Sequence, residues 1–290
     1  MGLVGEKRGA QTPGPGRALT SGGGPCSLPP MVRRPLILLT NDDGIEAPGL
    51  RALEAALCPL GELWTVAPGE ERSTSSHSVN LRRALRVRRL GRRRWAVFGT
   101  PVDAVFVALF ALLPRRPALV ASGVNGGPNL GTDTIYSGTV AAAREAALRG
   151  VPGLAVSLVE GTDYGPAARV AARVADQVLR AGSGAQAEGR GVLLNLNVPA
   201  APRPGLRVTR LGRRHYPEEV ALRRISSASW SARIGGFPVG SDRTPGTDTR
   251  AVHDGYASLS VLTLDLTQRD ARRRFPGLFA RLAREEGGRR

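Results

Sequence analysis

The chain has 290 residues, 41% of them hydrophobic, with a formal net charge of +17 and two cysteines, Cys26 and Cys58. That length and apolar content support a large cored domain, and two thiols make no disulfide framework. The longest apolar run, 102–113, carries Asp103 and is too short to span a bilayer, and no apolar segment of a secretory leader follows Lys7 and Arg8, so we expect a cytoplasmic protein without a membrane contact.

Residues 1–30 are rich in Gly, Pro and Ser and have no apolar period, which predicts a disordered extension before a folded part over 31–290. Met31 is a candidate start. From Pro35 onward short apolar runs alternate with helical patterns, as in an α/β fold with a mostly parallel, Rossmann-like sheet and flanking helices. Strands are predicted at Leu36–Thr40, Leu63–Ala67, Ala118–Ser122, Gly153–Leu158 and Val192–Val198. Helices are predicted at Pro48–Cys58, Pro101–Leu112, Ser137–Arg149 and Pro166–Leu179. Arg86–Val97 reads as a hairpin turned at Leu90-Gly91 and protruding from the sheet. Over 206–270 the helical patterns thin out, which predicts a β-rich C-terminal appendage used in oligomer contacts; 271–290 then reads as a final helix and basic tail.

Ligands of open α/β sheets bind beyond the carboxyl ends of the strands. Polar residues gather there: Asn41, Asp42, Asp43 and Gly44 after the first strand, the 70–76 loop after the second, and Asn125 in "SGVNGGPNLG" after the third. Two carboxylates, an amide carbonyl and a serine hydroxyl form an all-oxygen set suited to a hard divalent cation. Taken singly, Asp42-Asp43-Gly44 reads equally well as an Asx turn. Ser137-Gly138-Thr139 precedes a helix of small residues, where free N–H groups and the helix dipole favour an anion; a plain N-cap is the alternative. A cation site and an anion site on one sheet edge suggest metal-assisted phosphate chemistry.

The segments "ILLTNDDGIEAPGL", "VAPGEERSTSSHSV", "FGTPVDAV", "SGVNGGPNLG", "IYSGTVAAAREA", "LNLNVP" and "GTDTRAVHDGYASLSVLTLDLT" occur in that order over about 35–267. Together they resemble the SurE family, stationary-phase survival proteins that act as metal-dependent nucleoside monophosphate phosphatases. The resemblance implies one Mg²⁺ or Mn²⁺ per subunit on Asp42, Asp43, Ser73 and Asn125, with Asp42 and Asp43 catalytic. It implies phosphate binding by Asn129, Ser137, Gly138 and Thr139, with Asn41 and Gly44 shaping the first loop. It also implies 5′-nucleotidase activity extending to 3′-nucleotides and short polyphosphate, and a homodimer or homotetramer with an exchanged C-terminal region. Gly69 and Pro128 depart from the family pattern. Attack by metal-bound water and attack by an aspartate both fit these residues; His77, in the serine loop, reads as structural.

Three rivals are weighed. A haloacid-dehalogenase-like phosphatase needs an aspartate where Asn41 stands, and a dinucleotide-binding oxidoreductase needs a G-x-G-x-x-G run that "NDDGIEAPG" lacks. A non-enzymatic nucleic-acid-binding protein would use the arginine clusters, such as "RRALRVRRLGRRR" at 82–94. No aromatic interleaving suited to base stacking accompanies them, so they read as solvated surface rather than a specific nucleic-acid site.

Overall fold

The computed structural model describes residues 34–72, 74–216, 219–235 and 240–277. The expected extension over 1–30, Met31, Cys26, Ser73 and the basic tail from 278 therefore lie outside the described residues. The strands are β1 Leu36–Thr40, β2 Glu62–Pro68, β3 Val87–Gly91, β4 Arg94–Val97, β5 Leu119–Gly126, β6 Gly153–Leu158, β7 Gln186–Ala187, β8 Arg190–Gly191, β9 Leu193–Val198, β10 Arg203–Thr209, β11 Arg214–His215, β12 Val220–Arg224, β13 Trp230–Ile234, β14 Gly240–Ser241 and β15 Tyr256–Leu262. The helices are α1 Pro48–Leu57, α2 Pro101–Val107, α3 Gly138–Leu148, α4 Gly165–Ala181, α5 Asp248–His253 and α6 Ala271–Arg274.

Nine strands form the main sheet in the order β10-β15-β9-β6-β5-β1-β2-β4-β3. Its centre is parallel, from β9 through β6, β5, β1 and β2 to β4. Leu36–Leu39 of β1 are fully buried because helices cover both faces of the sheet. Successive side chains alternate between the two layers: Ile37 and Leu39 pack with Leu50, Leu53 and Leu57 of α1 and with α4, whereas Leu38 packs with Ala104 and Val105 of α2 and Ala142 of α3. The chain leaves β1 toward β2 on one side and returns to β5 on the other, which opens a crevice at their carboxyl ends.

Most expected elements form within a few residues of their predicted ends, and α2 continues into a π-helical turn, Ala108–Leu112. Two expectations are corrected. The hairpin turns at Arg92-Arg93 rather than Leu90-Gly91, since Gly91 sits at an irregularity in the β3–β4 register, and β4 joins β2 so that β3 becomes the sheet's edge instead of the hairpin protruding. The C-terminal region is only partly an appendage: β10 pairs parallel with β15, and β15 pairs antiparallel with β9, so both extend the main sheet. The β12–β13 hairpin stands apart as its own ribbon. Among the described residues, no helix is long and apolar enough to cross a membrane.

Candidate functional site

The loop after β1 turns sharply at Gly44, whose φ of +101° favours glycine and where a Cβ would press on the Glu70 backbone at 3.3 Å. The Asn41 side-chain amide donates to the Gly44 carbonyl at 2.8 Å, closing the turn. Asp42 and Asn41 are buried and Asp43 is half-buried. The Asp42 backbone carbonyl accepts the Arg72 amide at 2.7 Å, tying this loop to the serine loop. The Thr139 hydroxyl, from the first turn of α3, donates to Asp42 Oδ1. Gly138 makes that approach possible: a Cβ there would lie 2.9 Å from Asp42 Cβ, Asp42 Oδ2 and Ser75 Oγ.

Like charges crowd this point. Burial is the main cause that pushes the Asp42 carboxyl above its usual range, although the Thr139 hydroxyl opposes it. Asp43 rises to about 6, first through burial and then through repulsion from Asp42 and Glu71, while the Gly126 N–H pulls the other way. The site is therefore short of positive charge for two ionised carboxylates.

The remaining expected residues divide into free and committed groups. Asn125 donates through its amide nitrogen to the Gly127 carbonyl at 2.8 Å, leaving its amide oxygen without that duty. Ser137 caps α3, its hydroxyl accepting the Val140 N–H at 3.1 Å. Asn129 donates to Ser157 Oγ at 2.8 Å, and its backbone is held by Asn195 and Asn197. Its side chain thus anchors the loop in the sheet.

The serine loop and the structural role of His77 were expected, whereas Glu145 and Asp248 were missed by sequence reasoning. The Ser75 hydroxyl lies against Gly138, where an added Cβ would meet it at 2.9 Å. His77 binds the buried Glu145 of α3 at 3.0 Å, and the loop docks again through Ser76 Oγ on the Ile135 carbonyl at 2.9 Å. Burial raises the Glu145 carboxyl, but hydrogen bonds from His77 and Arg149 outweigh it and hold the group below its usual range. The fully buried Asp248 of α5 accepts the N–H groups of Gly131 and Gly212 at 2.8 and 2.7 Å, fastening the C-terminal region to the loop before α3. Asn195 and Asn197 at alternate positions of an apolar strand were the one legible signal, since buried amides demand partners.

The family model described as "Survival protein SurE" matches residues 37–218, which include all four site loops. The chain belongs to the SurE family. Relatives named "5'-nucleotidase SurE" from Sorangium cellulosum and Anaeromyxobacter dehalogenans are 47% and 48% identical to it, each over 80% of this chain and 91% of the relative. The crystal structure of the SurE protein from Aquifex aeolicus superimposes with a TM-score of 0.71 at 34% identity, covering 84% of this chain and 99% of that one.

SurE chemistry calls for a test of the site against a divalent cation. The donors fit: Asn41 Oδ1 and Ser75 Oγ are buried with no hydrogen-bond partner among the described residues, and the two raised carboxylates belong to the same loop cluster. Among the described residues no group of three or more His, Cys, Asp or Glu side chains could hold a metal. Two carboxylates with amide and hydroxyl oxygens instead suit a hard cation rather than zinc.

Proposed function

We infer that this SurE chain is a 5′-nucleotidase, a phosphoric monoester hydrolase that releases nucleoside and phosphate from nucleoside monophosphates. One observation carries the reading: a buried aspartate is clasped by Thr139 at the N-terminus of α3, beside a second carboxylate. The helix N-terminus offsets the burial and mutual repulsion of the acid pair only in part, and a cation accompanying a phosphate dianion completes the balance. The names of the relatives agree with it.

In this reading Asp42, Asp43, Asn125 and Ser73 hold one Mg²⁺ or Mn²⁺ ion, which when bound polarises a phosphate oxygen and acidifies a water molecule. The positive end of the α3 dipole stabilises the charge that grows on phosphate oxygens bound beside it. Thr139 donates to one Asp42 oxygen and so orients this carboxylate. Attack by water and attack by the half-buried Asp43 both fit this arrangement. Asn41 and Gly44 keep the loop closed, while Asn129 anchors the wall of the crevice.

The reading extends to 3′-nucleotides and short polyphosphate, and to a cytoplasmic homodimer or homotetramer. The β12–β13 ribbon supports assembly: Val220, Leu222, Ile225 and Trp230 are all more than half exposed on it. Phosphate release from a panel of nucleoside monophosphates, with Mg²⁺ or Mn²⁺ against EDTA, tests the activity. Release that requires metal and disappears in Asp43→Asn is expected; no release with any metal would overturn the reading in favour of a binding protein.

A further inference from the structure

A cavity of about 300 Å³ opens between the serine loop and the β3–β4 edge, and it is separate from the Asp42–Thr139 cluster. Arg72, Arg83 and Arg86 line it together with Phe98, Asn80 and Thr100. Its walls are firmly built. The buried Asp103 carboxylate accepts the Asn80 backbone N–H at 2.8 Å and side-chain amide at 2.6 Å, and it forms a capping box with Thr100 at the start of α2. The Thr100 hydroxyl donates to the Ser78 carbonyl at 2.7 Å. The Arg86 guanidinium stacks 3.6 Å from the centre of the Phe98 ring, which presets its position.

The charge in this cavity is unbalanced. Arg72 pairs with Glu70. Arg83 and Arg86 make no ion pair among the described residues, although many other arginines do, including Arg94 with Glu54 and Arg115 with Glu62. Arg72 links the cavity to the reaction site directly, since its N–H is bonded to the Asp42 carbonyl while its side chain forms the cavity wall. A group bound in the cavity thus lies within one arginine side chain of the aspartate loop.

We propose that this cavity is an anion subsite that binds a second phosphate group of the substrate, through Arg83 and Arg86 with Arg72 at its inner end. Guanidinium forks match phosphate oxygens in pairs, and the stacked Arg86 loses little entropy on binding. The subsite selects nucleotides that carry a phosphate beyond the one removed, such as nucleoside 3′,5′-bisphosphates. It rests on the nucleotidase reading for its link to catalysis but not for anion binding itself.

The test compares kcat/KM for a nucleoside 5′-monophosphate and the matching 3′,5′-bisphosphate in the full chain and in Arg83→Gln/Arg86→Gln. Calorimetric binding of inorganic tripolyphosphate runs beside it. The bisphosphate-to-monophosphate ratio is expected to fall about tenfold or more in the double variant, as for one lost charge-assisted hydrogen bond. Tripolyphosphate binding should weaken similarly, and Arg→Lys at both positions should restore part of each. A ratio and a binding constant within twofold of the parent would overturn the proposal. If the parent releases no phosphate from either nucleotide, the nucleotidase reading fails, and tripolyphosphate binding alone decides the subsite. Arg83→Gln on its own, at an exposed side chain with no hydrogen bond among the described residues, serves if losing the Arg86 stack disturbs folding.

Discussion

Replacing Gly138 by alanine adds one methyl group at the most crowded point of the site. The new carbon would lie 2.9 Å from Asp42 Cβ, Asp42 Oδ2 and Ser75 Oγ. Carbon contacts are comfortable at about 3.5–4.0 Å, so the groups must part by roughly 0.6 Å or more. The Ser75 hydroxyl can turn aside, but Asp42 is held by Thr139 at its side chain and by the Arg72 N–H at its carbonyl. Overpacking of this kind costs about 1–3 kcal/mol, whereas alanine in place of glycine in a helix returns up to about 1 kcal/mol. The fold should therefore survive with a net loss of roughly 0–3 kcal/mol. Function should suffer far more, because a misplacement near 1 Å in a reacting constellation costs about 100-fold. We expect kcat/KM for a nucleoside monophosphate to fall about 10- to 100-fold while urea unfolding shows a modest shift. A variant within threefold of the parent would refute the role given to the Asp42–Gly138–Thr139 contact.

Divalent metal should raise the thermal stability of the parent, by about 2.7 kcal/mol when the free ion is 100 times its dissociation constant, and the gain should vanish in Asp43→Asn; scanning calorimetry with Mn²⁺ against EDTA reads both. Glu145→Gln should lower stability at pH 7 by about 1–3 kcal/mol, as buried hydrogen bonds to a charged group are weakened. Because the folded state holds the Glu145 carboxyl below its ordinary value of 4.5, its contribution is complete above that pH and fades as the pH falls through the folded pKa, so the parent and Glu145→Gln should converge in acid urea titrations. Asp248→Ala strands the N–H groups of Gly131 and Gly212 in a buried place; unfolding measurements should show a loss of about 2 kcal/mol or more, and unchanged stability would contradict the fastening role of α5.

Local pattern made much of this protein legible. The all-apolar run Leu36–Leu39 marks a strand covered on both faces, and it is one. Asp42-Asp43-Gly44 stood out because charged residues directly after a buried strand need a reason, and the crevice at the carboxyl end of β1 supplies a place for them. The hairpin turn was misplaced because glycine usually punctuates turns, yet Gly91 is spent on an irregular register while Arg92 and Arg93 make the turn. The C-terminal strands looked like an appendage since alternation along β10 and β15 says only that one face is covered, not which neighbour covers it.

What the tertiary structure alone decided is which groups meet. Thr139 reaches Asp42 across 97 residues, His77 reaches Glu145 across 68, and Asp248 reaches Gly131 across 117. The sequence did not show that strands β6 and β9 bring Ser157, Asn195 and Asn197 around Asn129, so that it anchors its loop in the sheet. Period and turn chemistry act over a few residues, so they specify strands, helices and the loops that carry reactive groups. Hydrogen-bond partners are chosen by sheet order and helix placement, where distant segments compete for the same buried polar atoms, and only the folded chain settles that competition.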